Sequence, residues 1–261
     1  MNNKTRLAIA AAIAGASMMG ATTAQAACSD VDRAAFEWAA NVATISTDQF
    51  GFGLPMWMTM VDETGKVCHV YTNDSSFDNT GSASGNKAWL GSRVISAQKA
   101  NTANAFSLDG LAISTGAISV TVYPGGSLYG LQHSNPVDTN VAYGGDSEKI
   151  GTINDPMVDK KIGGVNVFGG GLALYSKDGT LLGALGVSGD SSCADHNIAW
   201  KLRDALNLDA VPSGVSSQGN DNIINDIENG VSKSGWGHPI CIPTSVEIAK
   251  NFSKTHPVFK K

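Results

Sequence analysis

Apolar residues recur at helical spacing through the first ordered stretch of the chain, at Val31, Ala35, Trp38, Val42 and Ile45. Ser29 and Asp30 precede them as good N-caps, so a first helix is predicted, ending near Phe50-Gly51-Phe52-Gly53. The pattern then changes. Residues 56–61 and 67–72 read as two apolar strands of a hairpin, joined by Asp62-Glu63-Thr64-Gly65-Lys66. Residues 74–86 form a Ser/Gly/Asn-rich loop. A second helix is predicted over 87–106, with Ala88, Val94, Ile95, Ala97, Ala100 and Ala103 giving it a small-residue side that can pack closely.

Residues 118–123 alternate and predict a strand. A long Gly/Asn/Asp/Pro loop follows over 124–164, of a length that is usually functional or mobile. Strands are expected at 165–168, 172–176 and 181–187, with a turn at Lys177-Asp178-Gly179. A helix then runs over about 190–206, capped by Asp190 or Ser191. Beyond Asn207 the pattern loses regularity, apart from a short helix expected at 222–228. The fold class is therefore α+β, with an antiparallel sheet of about five strands covered by helices on one face. The organisation is one domain over 27–206 with a C-terminal extension over 207–261. Gly163-Gly164 and Gly169-Gly170-Gly171 flank a strand instead of opening a helix, which argues against a phosphate cradle. They read as bulges or turns, or as places where the backbone approaches a flat ligand.

Composition adds the setting. Residues 1–26 have the form of a secretory signal peptide, with Lys4 and Arg6, an Ala/Ile/Met-rich stretch and Ala24-Gln25-Ala26 at the cleavage site. The apolar stretch is too short and alanine-rich to span a bilayer. A periplasmic or secreted protein is expected, in which Cys28, Cys68, Cys193 and Cys241 can oxidise. Four cysteines allow three pairings. Joining Cys193 to Cys241 would anchor the extension, and Cys28 to Cys68 would then tie the first helix to the hairpin. A net charge of −5 gives no general attraction to phosphate backbones, so nucleic acid is excluded as a partner.

Three segments together resemble the GlcG/HbpS haem-degrading domain family. They are the helix Ser96-Ala97-Gln98-Lys99-Ala100-Asn101-Thr102-Ala103-Asn104-Ala105-Phe106, the strand entry Gly163-Gly164-Val165-Asn166-Val167, and Leu182-Gly183-Ala184-Leu185-Gly186-Val187-Ser188-Gly189-Asp190 followed by an acid at Asp195. The resemblance covers about residues 34–206. It implies a GlcG-like (profilin-like) sheet with flanking helices, haem as cofactor or ligand, symmetric homo-oligomers, and in some relatives peroxide-dependent haem breakdown.

Haem iron takes a histidine, thiolate, tyrosinate or methionine donor inside an apolar pocket. His133, in the long loop, is the leading candidate ligand, while His69 on its strand reads as structural. His196 follows Cys193 at i+3 on one helix face and is predicted to cap or line a groove. Cys193-x-x-His196 lacks the first cysteine of a covalent haem-attachment motif. By resemblance, Lys99 pairs a propionate and Thr102 acts as a weak donor near the iron. No free acid–base pair is visible, and Ser188-Gly189-Asp190 lacks the spacing of a hydrolase nucleophile turn. The function expected is secreted haem binding, with sequestration or slow degradation. A non-enzymatic module for another metabolite, an organic acid or corrinoid, is the alternative.

Overall fold

The computed structural model describes residues 27–45, 51–73 and 91–259. The predicted leader, the loop at 74–86 and the first residues of the second predicted helix lie outside them. Four longer helices and four main strands make the architecture: α1 Arg33–Ile45, β1 Trp57–Asp62, β2 Val67–Thr72, α2 Ser92–Ala105, β3 Gly171–Tyr175, β4 Leu181–Ser188, α3 Ser192–Ala205 and α4 Pro243–Thr255. The sheet has four strands in the order β2-β1-β4-β3, each pair antiparallel.

The fold is α+β as predicted, with four strands in the sheet and not five. Residues 118–123 turn instead of extending, with a 3-10 turn at Val120–Val122, and residues 165–168 pair with no strand. In both places side-chain and backbone hydrogen bonds satisfy the chain locally: Thr121 Oγ1 donates to Ile118 O, and Asn166 Oδ1 accepts from Phe168 N.

Helices cover both faces of the sheet, not one. Alternation along the strands explains the layering. Met58 and Met60 of β1, Leu172 and Leu174 of β3, and Leu185 and Val187 of β4 bury one face with α1 and α3. Trp57 and Val61 of β1 and Ala184 of β4 turn to the other face, where α2 lies with Val94, Ala97, Ala100 and Ala103. Gly186 is the closest approach there. A methyl group on it would sit 2.0 Å from Ser96 O and 2.5 Å from Ala100 N.

Two predicted surfaces are placed differently. On α1 the buried face is Phe36, Ala39, Ala40 and Ala43, whereas Trp38, Val42 and Ile45 face solvent. The alanines let the helix approach closely, and only Phe36 supplies bulk. The long loop is packed down instead of hanging free. Buried Arg93 of α2 grips buried Asp155 with Nε at 2.8 Å, and Ala142, Met157 and Ile162 join the α2 core.

The last fifty residues are part of the same core. The 13-residue helix α4, unpredicted from sequence, starts with a proline in its first turn and buries Val246, Ala249 and Phe252. Phe252 stacks on Trp200 with ring centroids 5.4 Å apart, and Trp200 Nε1 donates to His256 O at 2.9 Å. Residues 227–228 and 231–232 form a two-stranded turn where a helix was expected. Cys28 is bonded to Cys68, and Cys193 to Cys241. Among the described residues no helix is long and apolar enough to cross a membrane.

Candidate functional site

Lysine at position 99 would be costly to bury alone, yet the α2 packing places its side chain at 2% exposure. Its ammonium donates to Asp195 Oδ2 at 2.6 Å and to Val187 O at 3.0 Å. Asp195 stands in the first turn of α3, where the helix N-terminus favours a carboxylate, and its other oxygen accepts from Asp190 N at 3.1 Å. Burial nevertheless dominates and raises the Asp195 carboxyl to about 6, against the opposing pull of Lys99.

The glycine run permits this meeting. Side chains at 169–171 would collide with backbone: 2.4 Å from Ser192 O at Gly169, 2.4 Å from Val187 O at Gly170, and 2.5 Å from Lys99 O at Gly171. The run therefore exists so that α2, α3 and β4 converge on one point, and the close approach is protein to protein.

Above the ion pair lies a groove of about 290 Å³. Ile95 and half-exposed Phe168 supply apolar walls, Ser92, Ser188 and Ser192 supply hydroxyls, and Asp190 forms one rim. Asp190 holds that rim by accepting backbone N–H groups of Phe52 at 2.7 Å and Leu54 at 3.2 Å. Larger depressions exist, including one of about 480 Å³ beside Asp109, Asp178 and Phe259. The Lys99 groove is the one floored by two buried, opposed charges, which is where chemistry or recognition concentrates.

Of the four residues expected at the site, Lys99 alone lines this groove, and its charge is already matched by Asp195. Thr102 is fully buried and points elsewhere: its hydroxyl donates to Gln98 O at 2.7 Å and accepts from Asn166 N at 3.0 Å. His133 is exposed on the one-turn helix Leu131–Ser134 and lines no part of the groove. His196 is a buried residue of α3, accepting from Ile223 N at 3.1 Å through Nε2, and burial pushes its pKa down to about 3. His69 is structural, its Nε2 at 2.8 Å from Val31 O.

Asp195, Phe168, Ile95 and Asp190 were missed as site residues. The signal for Asp195 was present, since a lysine on a small-residue, core-facing helix side needs an acid in reach. The groove walls come from three separated segments, and no local pattern joins them.

A family model described as haem degrading protein HbpS-like matches residues 32–203. Two solved structures are similar. The Klebsiella pneumoniae protein ORFY, of family DUF336, is 23% identical over 67% of this chain and 90% of that one, with a TM-score of 0.42. A PduOC:heme complex is 24% identical over 67% of this chain and 94% of that one, with a TM-score of 0.43. No curated protein matches.

Proposed function

This chain belongs to the HbpS-like family of haem-degrading proteins, and from that premise we propose that it is an exported haem-binding protein whose porphyrin edge lies in the groove above Lys99 and Asp195. The observation that carries the reading is the groove itself: an apolar lip over a floor held rigid by a buried, hydrogen-bonded ion pair. Export is supported by the leader-like residues 1–26 and by two disulfides, which persist in oxidising compartments. Self-association, which the family resemblance implies, belongs to the same proposal and is read by sedimentation.

The residues fit the ring better than the metal. Ile95 and Phe168 suit the face or edge of a macrocycle, while among the described residues those lining the groove include no imidazole, thiolate, thioether or phenolate. We therefore assign no axial ligand. Bound haem would bring the redox chemistry of its iron; the chain's part is to hold the ring and limit access. Lys99 and Asp195 serve as a fixed floor, since the proton donor and acceptor are already committed to each other.

Haemin titration of the oxidised full chain, followed by its Soret band, tests the proposal. We expect a displaced band, with affinity reduced about tenfold, or about 1.4 kcal/mol, in Ile95→Glu and in Phe168→Ala. An unmoved band, or affinity unchanged in both variants, overturns it. The groove volume of about 290 Å³ is at the small end of ligand sites and favours, as the second reading, a compact metabolite such as an organic acid. Thermal stabilisation by such acids and not by haemin would select it.

A further inference from the structure

A second cluster lies behind the groove, built from residues that the haem reading does not use. Cys193 Sγ, Cys241 Sγ and an imidazole nitrogen of His238 all lie within 4.8 Å of one another. We infer that Cys193, Cys241 and His238 form a redox-gated metal site, closed by the disulfide and opened by a dithiol reductant to take a zinc-like divalent ion.

The geometry points there for three reasons. First, His238 is 2% exposed and already oriented. Its Nδ1 lies 2.7 Å from Pro239 O, which fixes the proton on that nitrogen and leaves the Nε2 lone pair facing Gly169 N at 3.3 Å. At 3.3 Å that contact lies beyond the usual N–H hydrogen-bond range and holds the nitrogen only weakly. Second, Cys241 Sγ sits at the start of the 14-residue helix α3, where it accepts from Cys193 N at 3.2 Å and lies 3.4 Å from Ser192 Oγ. An N–H donor at a helix N-terminus stabilises a thiolate, the form that binds metal. Third, His238 and Cys241 are three residues apart on an irregular segment containing Pro239, a short chelating span, while Cys193 comes from a different element. His196, three residues after Cys193 in the sequence, is not part of this cluster, because its Nε2 accepts from Ile223 N at 3.1 Å.

The chemistry balances with a dithiol. Its two electrons break the sulfur–sulfur bond, each sulfur takes a proton, and the reductant leaves as its own disulfide. A divalent ion then displaces both thiol protons to form two metal–sulfur bonds and one metal–nitrogen bond. The two thiolates cancel the ion's charge, and the fourth position is open to water.

Cobalt(II) alone, added to the full chain without haem, is the probe. Protein reduced with a dithiol and desalted anaerobically is expected to bind one equivalent and show the visible bands of tetrahedral cobalt–thiolate. Oxidised protein should show none. Cys241→Ser should abolish the bands, and His238→Ala should shift them and weaken binding by at least about tenfold. Bands that persist unchanged in His238→Ala, that occur in oxidised protein, or that fail to form on reduction overturn the inference. Circular dichroism recorded alongside covers loss of fold: an unfolded chain would bind cobalt without regard to His238, and that result also counts against the site. Since neither haem nor a groove variant enters the experiment, its outcome is separate from that of the haem titration.

Discussion

Replacing Asp221 with asparagine keeps the size of the side chain and removes one charge. Asp221 faces Arg203 in a two-pronged pair, with Nη1 to Oδ2 at 2.7 Å and Nη2 to Oδ1 at 2.8 Å. Both side chains are closed to water, at 1% and 0% exposure. Arg203 also gives Nη1 to Ala173 O at 3.1 Å and lies 4.8 Å from the centroid of the Trp200 ring. In Asp221→Asn the guanidinium stays buried without its counter-charge, which costs about 3–5 kcal/mol. That is a large share of a total stability of roughly 5–15 kcal/mol. For a chain of this length it corresponds to a fall in Tm of roughly 6–20 °C. Urea unfolding of oxidised protein, followed by circular dichroism, measures it. The exposed pair Lys250–Glu247, whose side chains are about two-thirds accessible, is the internal control, and Glu247→Gln should cost under about 0.5 kcal/mol. Arg203→Met with Asp221→Leu should recover most of the loss, because apolar groups of similar volume replace the ions. If Asp221→Asn stays within about 1 kcal/mol of wild type, water reaches Arg203 and residues 207–259 lie loosely on the domain instead of completing it.

Two further outcomes follow from the same packing. Gly186→Ala should destabilise by about 1–3 kcal/mol, since the new methyl would strike the backbone of α2 at Ser96 O and Ala100 N; urea unfolding reads it, and a neutral result would mean the helix can lift from the sheet without loss. His196, held neutral with its pKa near 3, binds its proton in the unfolded chain below about pH 6.5 but not in the folded one. Its contribution is therefore complete above pH 6.5 and is lost on acidification. The stability of wild type relative to His196→Gln should fall by about 1.4 kcal/mol per pH unit between pH 6 and 4, and a flat difference would show that His196 is hydrated.

Much of the layout could be read from the chain. Two apolar runs at 56–61 and 67–72, with Gly65 in the turn, mark the hairpin, and Ser191 does cap α3, its Oγ accepting from Ala194 N at 3.3 Å. What was hidden depended on partners distant in sequence. Apart from Phe36, the small residues of α1 lie inward and its large ones outward, because close approach to the core outweighed bulk. α4 carries lysines, asparagine and serines over most of its surface and offers Val246, Ala249 and Phe252 to the core, with Ile248 half-buried beside them, a stripe too thin to stand out. At the site, Lys99 could be placed on its helix, but its use could not. Whether its ammonium meets a ligand or Asp195 is decided by the glycine run that draws α2 and α3 together.

Because α4 and Asp221 complete the surroundings of α3, the order of synthesis matters. Cys28 and Cys68 both emerge before β4 has been made, whereas Cys193 must wait 48 residues for its partner. At ribosomal speeds of about 5–20 residues per second that wait lasts roughly 2–10 s. During it the nascent chain carries the unpaired thiol of Cys193, an arginine unmatched until Asp221 is made, and a tryptophan left uncovered until Phe252 is made. A product truncated at residue 206 would be held in that condition permanently, as a client for chaperones and proteases. The stretch matched by the family, residues 32–203, thus stops short of the residues that cover Trp200 and pair Arg203 in this chain.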